Sequence, residues 1–139
     1  LKQLPIKVEI TAEVLRRLGQ ERFRDALIDY WNGCCAVTGC SMLPLLKASH
    51  IKPWAHCTSY RERLDPFKGL LLSPNWDAAF DQGFVTFSDE GVAVVSPGSP
   101  AADRELLGVQ AGACLNRWTE PQANYMVYHR QYIFGGSAS

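Results

Sequence analysis

The segment from Leu46 to Phe87 constrains the fold more than any other part of the chain, because two short apolar runs and a helix follow one another in it. The first run ends in Ser49-His50-Ile51 and is stopped by Pro53, which is typical of a strand near a sheet edge. The second run, Gly69 to Leu72, is followed by Ser73-Pro74, with a good N-cap residue and a proline suited to the first helical turn. The pattern predicts a β-hairpin followed by a short helix.

That helix is expected to carry two carboxylates on one side. Trp76 and Phe80 form its apolar face, and Gly83 is a natural stop. Asp77 and Asp81 are four residues apart and therefore project together, where like charges repel by about 0.2–0.5 kcal/mol when exposed. A bound cation would convert that repulsion into attraction.

The regions before and after this segment predict one α+β domain. Residues 1–10 are expected to be an extended lead-in, followed by a helix from Thr11 to about Leu18, an interruption at Gly19 and a second helix from Glu21. We therefore divide the chain into 1–19, a lead-in and first helix that could be the end of a linker, and 20–139, the main domain, with its core at about 35–96.

The second half of the chain predicts further small elements. Apolar runs on either side of Ser88-Asp89-Glu90-Gly91 indicate a hairpin. A helical turn is expected over Ala102 to Leu107, and a final helix from the capping signal at Thr119 to about Ile133. The glycine- and serine-rich residues 135–139 predict a flexible end.

Charge is distributed unevenly although the formal net charge is 0. Residues 1–68 hold 11 Lys and Arg against 7 Asp and Glu, a net +4, whereas residues 69–139 hold 3 against 7, a net −4. A basic half beside an acidic half fits a phosphate-binding flank next to a carboxylate metal site. Chance segregation on a solvated surface is the alternative.

The cysteines and apolar runs indicate an intracellular protein. No run approaches the roughly 18–20 apolar residues needed to cross a membrane, so no membrane partner is expected. Five cysteines, with Cys34 and Cys35 adjacent, do not form a secreted disulfide framework, which favours a reducing cytoplasm. Structural Zn²⁺ on Cys35 and Cys40 is not favoured, because no second C-x-x-C pair completes such a site.

Three segments together resemble a known family: C-A-V-T-G, A-S-H-I-K-P-W, and G-L-L-L-S-P-N-x-D-A-x-F-D-x-G. They are similar to the HNH endonucleases over roughly residues 20–96. The resemblance implies a ββα-metal core, here with added N-terminal helices, a β-hairpin and a C-terminal helix. It further implies hydrolysis of DNA phosphodiester bonds with one divalent metal ion.

The resemblance also assigns roles to four residues. His50 stands at the first histidine of the motif, the general base, although an isolated histidine at a strand end is more often a half-buried structural residue. Lys68 stands where asparagine is usual and Asp77 where the last histidine is usual, with Asp81 one turn later. Oxygen ligands favour Mg²⁺ or Mn²⁺ over Zn²⁺. The expected site places the imidazole opposite the two carboxylates, across a gap wide enough for a hydrated ion.

Lys68 leaves two alternatives open within the catalytic site. Its ammonium could bind the scissile phosphate, or it could reach the carboxylates and replace the metal, leaving the site inactive. The predicted contacts to the nucleic-acid backbone are Lys47, Lys52, Arg61 and Arg63.

Three functions remain compatible with the sequence. The first is a metal-dependent DNA endonuclease domain, the cleavage module of a restriction or defence protein, with target choice in a fused or associated specificity domain; a homodimer is also possible. The second is a degenerate HNH fold that binds nucleic acid without cutting it. The third is a protein-interaction module.

Overall fold

The computed structural model describes the backbone of residues 4–135 and side chains from residue 11 onward. The fold is α+β, as expected, with two small antiparallel sheets among helices. Its principal elements, in chain order, are α1 Leu4–Tyr30, β1 Lys47–His50, α2 Tyr60–Leu64, β2 Gly69–Leu72, α3 Pro74–Asp81, β3 Val85–Phe87, β4 Ala93–Val95, α4 Ala101–Leu107 and α5 Glu120–Tyr132.

The predicted hairpin and helix form the centre of the molecule. β1 and β2 pair antiparallel, with Lys47 opposite Leu72 and His50 opposite Gly69. All four residues of β2 are buried, because α1 covers one face of the hairpin and α3 covers the other. A Cβ atom on Gly69 would overlap the ring of Phe23, so glycine at this position lets α1 approach the strand closely.

The expected break at Gly19 is wrong, because α1 runs without interruption from Leu4 to Tyr30. The expected extended lead-in is likewise wrong from residue 4 onward, while residues 1–3 and 136–139 lie outside the described part. Gly19 is buried, and a Cβ there would lie 2.8 Å from Cη2 of Trp54. An internal glycine lowers helix stability by about 1 kcal/mol relative to alanine. At this position it lets the helix pack closely against the indole of Trp54.

The segment joining β1 to β2, residues 51–68 and called here the crossing segment, is more structured than the expected loop. It contains α2 and two single turns of 3₁₀-helix, Trp54–His56 and Pro66–Lys68. Ser59 caps α2 by accepting a hydrogen bond from the Glu62 N–H, and Asp65 caps the second turn at the Phe67 N–H. These local bonds give a polar stretch a fixed path over the hairpin.

The start of α3 differs in one detail from expectation. Ser73 precedes Pro74 as predicted, but its side chain makes no capping hydrogen bond. Its N–H instead donates to the buried Sγ of Cys35, at 3.3 Å. The same sulfur accepts from the Thr38 N–H at 3.4 Å, so the C-A-V-T-G stretch is joined to the start of α3 through a thiol.

The C-terminal elements follow the prediction. β3 and β4 form a hairpin, and α5 begins with a capping box between Thr119 and Gln122. His129 of α5 is buried, stacks on Phe80 at 3.8 Å and shares a hydrogen bond with the Thr86 hydroxyl, so it has a structural role. Within residues 4–135, no helix is both long and apolar enough to cross a bilayer.

Candidate active site

The β1–β2 hairpin separates the expected site residues onto two faces. Neighbouring residues of a strand point to opposite sides of the sheet. Ser49 hydrogen-bonds Asp77 of α3, whereas His50 stacks on Phe23 of α1. We call the first side, with Lys47, Ser49, Asp77 and Asp81, the acidic face. We call the second side, with Gln20, Phe23, His50, Trp54 and Lys68, the closed face.

His50 is held on the closed face by three contacts. Its ring lies parallel to that of Phe23, 4.3 Å between centroids and 8° between planes. Its Nδ1 lies 2.8 Å from Nζ of Lys68, and its Nε2 lies 3.2 Å from Oε1 of Gln20. A lysine ammonium can only donate, so Nδ1 is the acceptor and the proton of the neutral ring is on Nε2, donated to Gln20.

The surroundings keep this imidazole uncharged. Burial, and secondly the positive charge of Lys68, lower the pKa of His50 to about 3. Desolvation penalises the charged form, and a neighbouring cation adds to that effect. At pH 7 the ring is therefore neutral, with its Nδ1 lone pair already in use.

Lys68 is the most unusual residue of the closed face, because its side chain is 0% exposed. Its Nζ lies 4.6 Å from the centroid of the Phe23 ring and 5.6 Å from that of Trp54, which provides cation–π stabilisation in place of water. Burial lowers the pKa of Lys68 to about 8, with Cys57, Glu62 and Asp65 of the crossing segment acting in the opposite direction. Lys68 is the last residue of the crossing segment, and its buried ammonium connects that segment to β1 through His50.

Neither of the two roles considered for Lys68 corresponds to these contacts. The carboxylates that act on its charge are Glu62 and Asp65, and its hydrogen-bond partners are His50 and Cys57. Its ammonium therefore lies on the side of the hairpin opposite to Asp77. The residue does connect the crossing segment to β1, through His50.

The acidic face has the opposite character. Asp77 is half-buried and Asp81 is exposed one turn later on α3. Burial raises the pKa of Asp77 and the charge of Asp81 adds to it, while the Ser49 hydrogen bond and nearby Lys47 act to lower it. A partly desolvated carboxylate beside a second one is a site where a cation would relieve repulsion.

The donor set fits a weakly held, hydrated ion rather than a closed metal centre. Among the described residues, no group of three or more His, Cys, Asp and Glu side chains is placed to hold a metal. Mg²⁺ commonly takes only one or two protein carboxylates and completes its shell with water and substrate phosphate oxygens. Asp77 and Asp81 match that requirement, with Ser49 fixing the orientation of Asp77.

The structure brings the expected residues together in two pairs but does not unite the pairs. His50 is in contact with Lys68, and Asp77 is beside Asp81, but the imidazole does not face the carboxylates as expected. The reason is the strand period of two: Ser49 takes the acid-facing position, so the next residue must point away. The sequence contained this signal, because alternation along a strand places Ser49 and His50 on opposite faces of β1.

The four predicted backbone-binding residues differ in availability. Lys47 and Arg61 are exposed. Lys52 pairs with Glu62 at 3.0 Å and lies over the Tyr128 ring, while Arg63 stacks on Trp54 and donates to the Trp54 carbonyl at 3.3 Å. Lys47 and Arg61 are accessible to a phosphate, with Lys47 also close enough to Asp77 to lower its pKa. Lys52 and Arg63 are already engaged within the fold.

Sequence reasoning missed Gln20 and Phe23 as partners of His50. Phe23 was recognisable as a core residue from its helical spacing, but nothing in a linear pattern shows which ring it covers. Gln20 lies near the expected interruption at Gly19, so its place on a continuous helix was hidden. Nothing in the sequence pattern indicates that Cys57 of the crossing segment acts on the charge of Lys68.

Comparison with known proteins agrees with the motif analysis. A family model described as HNH endonuclease matches residues 35–88, from the C-A-V-T-G stretch through β3. The match includes both strands of the hairpin, the crossing segment and α3. No curated protein sequence matches the chain significantly.

Proposed function

We propose that the chain, whose residues 35–88 match the HNH endonuclease family model, is a metal-dependent endonuclease domain that hydrolyses DNA phosphodiester bonds. The observation that carries the proposal is the carboxylate pair Asp77 and Asp81 on the accessible side of α3, next to the end of β1. The proposed setting is the cytoplasm, as the cleavage module of a restriction or defence protein whose target is chosen by a fused or associated specificity domain.

The two faces would contribute in different ways. A divalent cation bound by Asp77 and Asp81 would supply positive charge to the phosphate as the bond breaks. Ser49 holds Asp77 in one orientation, and exposed Lys47 offers a positive charge to the adjoining backbone. His50 lies at the end of β1, the strand that also carries Lys47 and Ser49, and its imidazole is neutral at pH 7.

A plasmid-nicking assay with Mg²⁺ or Mn²⁺ tests the proposal. The substitutions Asp77→Asn and Asp81→Asn should each reduce nicking towards background, because each removes a charged ligand while keeping the shape of the side chain. Asp103→Asn, an exposed carboxylate on α4, is the matched control and should nick like the unaltered protein. Equal nicking by all four proteins would refute the assignment of the metal site.

A second function is favoured by one specific observation. Both ring nitrogens of His50 are occupied by protein groups, Nδ1 by Lys68 and Nε2 by Gln20. Activation of water by Nδ1 requires the ammonium to leave, so a fold that binds DNA without cutting it is the alternative. It predicts salt-sensitive DNA binding with no metal-dependent nicking, and a gain of nicking in Lys68→Asn. A protein that shows neither binding nor a metal response would be an interaction module instead.

A further inference from the structure

We propose that residues 41–46, the turn before β1, enter the minor groove of a DNA duplex and insert the exposed side chains of Met42 and Leu45 between base pairs. We call these residues the wedge turn. The inference rests on the proposed function insofar as it takes duplex DNA as the ligand, but it concerns recognition of the duplex and not the hydrolytic step. Three features support it: exposed apolar side chains, a rigid backbone and the charge of the surrounding sequence.

The wedge turn presents two large apolar side chains to solvent. Met42 is 61% exposed and Leu45 is 49% exposed, although the next residue, Leu46, is only 1% exposed. Contact with water is unfavourable for such side chains, and insertion into a partner would remove it. Single exposed leucines are ordinary on protein surfaces, so the partner must be identified from the backbone and the charge around them.

The backbone of the wedge turn is fixed from the side of α1. The segment Leu43–Leu45 is a single turn of 3₁₀-helix. The guanidinium of Arg24, on α1, donates to the Leu46 carbonyl at 2.7 Å and to the Leu43 carbonyl at 3.1 Å. One planar cation thus holds the turn at two points. A support that is already rigid allows side chains to be inserted with little further loss of conformational entropy.

The wedge turn leads directly into the acidic face. Lys47, the first residue of β1, is exposed and lies near enough to Asp77 to act on its pKa. Leu45 is two residues earlier, so the Cα atoms of Leu45 and Lys47 are at most about 7 Å apart. Leu46 between them is buried and has an extended backbone, which directs its two neighbours away from the core. A duplex whose backbone contacts Lys47 therefore brings its groove within reach of Leu45.

The charge of the surrounding sequence suits a polyanion. Residues 30–61 contain no Asp or Glu, and they include Lys47, Lys52 and Arg61. Lys47 and Arg61 are exposed, so positive charge without nearby acidic residues of the same stretch is available to phosphates. An apolar protein surface would gain nothing from this charge. DNA is the partner that accounts for both the apolar side chains and their positive surroundings.

The size and residue types of the wedge turn match the minor groove. This groove is about 6 Å wide, which admits a single turn of chain but not an α-helix, about 10 Å across. Proteins that bind there insert side chains such as Met and Leu between base pairs, which unstacks one step and kinks the duplex. Pyrimidine–purine steps are the easiest to unstack. The wedge turn would therefore direct binding and cutting to flexible steps and to base pairs that are already disturbed.

The main experiment compares two duplex oligonucleotides of equal length, one fully paired and one with a single central mismatch. Binding is measured by fluorescence anisotropy in EDTA, so that cleavage does not intervene. The unaltered protein should bind the mismatched duplex about tenfold more tightly, because part of the unstacking has already occurred there. The double variant Met42→Ser with Leu45→Ser should bind both duplexes with nearly equal affinity.

Two further variants separate insertion from other contacts. Leu106→Ser changes a leucine that is 85% exposed on α4, and it should keep the preference for the mismatched duplex. Lys47→Ala should weaken binding to both duplexes alike and leave their ratio unchanged, because a phosphate contact does not depend on base stacking. All the substituted side chains are exposed, and thermal unfolding confirms that each variant is folded.

The positions of the cuts provide a second measurement. Nicks made by the unaltered protein with Mg²⁺ or Mn²⁺ on an end-labelled fragment should cluster at pyrimidine–purine steps. The double variant at Met42 and Leu45 should distribute its nicks evenly over the steps. A purely structural role of the two side chains would change the amount of nicking but not its positions.

The outcomes distinguish this inference from the proposed function. If the unaltered protein never nicks but prefers the mismatched duplex through Met42 and Leu45, the inference stands and hydrolysis fails. If it nicks, and the double variant keeps the same preference and the same cut positions, the endonuclease stands and the inference is wrong. If the unaltered protein binds both duplexes equally or binds no DNA, the wedge turn does not enter a groove. A loss of self-association in the double variant would then identify the turn as a contact between protein molecules.

Discussion

The two faces of the β1–β2 hairpin show how one short strand supplies two kinds of chemistry. On the closed face, a fully buried ammonium, an imidazole and two aromatic rings pack together. The acidic face begins one residue earlier in β1, at Ser49. There, two carboxylates of α3, Asp77 and Asp81, lie on the side of that helix that solvent reaches. The contacts of the closed face fix the position of the His50 ring, whereas the acidic face keeps negative charge that a cation could neutralise.

The comparison also separates stability from function. The Phe23 ring and its neighbours contribute apolar burial, so the closed face stabilises the fold even though it contains a cation. The raised pKa of Asp77 means that folding disfavours its charge, so the acidic face destabilises the fold until a cation binds. Disturbing each face in turn should therefore give effects that differ in sign and size.

The largest effect is expected from Phe23→Ala on the closed face. The ring is fully buried, stacks on His50 and lies beside Lys68, so its loss leaves a cavity next to a buried charge. The free energy of unfolding should fall by about 3–5 kcal/mol. Leu15→Ala on the exposed side of the same helix is the control and should change it by no more than about 0.5 kcal/mol. Urea unfolding measures both changes. Comparable losses in the two variants would mean that packing around Phe23 contributes no more to stability than the exposed side of α1 does.

Much of the architecture behind this contrast was predictable from sequence. The two strands, the helix after Ser73-Pro74, the second hairpin and the capped final helix all follow from local patterns, and each is present. Such signals are reliable because turn residues and caps act on their immediate neighbours. Gly19 is one of the exceptions and reflects tertiary packing: the indole of Trp54 lies too close for a Cβ atom, and the helix continues through the glycine.

The sequence proposes members for the candidate site, but it does not predict how they are arranged. His50, Lys68, Asp77 and Asp81 were identified from motif positions, and the pairing of the two aspartates follows from helical spacing. That Lys68 folds back onto His50 depends on the path of the crossing segment and on Phe23 from a distant helix. Such contacts are set by packing between elements, which no linear spacing encodes.

Acid should weaken the closed face through His50. The pKa of His50 is lowered by burial to about 3 and that of His129 to about 4, against 6.5 for a free imidazole, so between these values the unfolded chain binds more protons than the folded one. Stability is therefore full above pH 6.5 and is lost as pH falls. Each histidine adds up to about 1.4 kcal/mol per pH unit. Urea unfolding at pH 6.5, 5.5 and 4.5 should show a shallower fall for His50→Gln; an unchanged slope would mean that His50 titrates normally.

Divalent cations should act on the acidic face alone. A cation at about ten times its dissociation constant would raise the free energy of unfolding by about 1.4 kcal/mol, seen as a higher melting temperature with Mg²⁺ or Mn²⁺. The double variant Asp77→Asn with Asp81→Asn should lose this response, whereas Asp103→Asn should keep it. Without added cation the double variant should be no less stable than the unaltered protein, apart from the altered Ser49 hydrogen bond, because it removes a charge that folding disfavours. A response that survives in the double variant would place the ion elsewhere.

The smallest expected difference concerns two lysines on either side of His50. Lys47 is exposed beside the acidic face, whereas Lys52 is paired with Glu62 at 3.0 Å and covers the Tyr128 ring. Each lysine that neutralises a DNA phosphate contributes about 0.9 to the slope of log affinity against log salt concentration. Lys47→Ala should therefore reduce that slope by about one, while Lys52→Ala should leave it nearly unchanged, because its charge is already used within the fold. The reverse order would mean that DNA lies over the crossing segment and that the acidic face is not where the backbone passes.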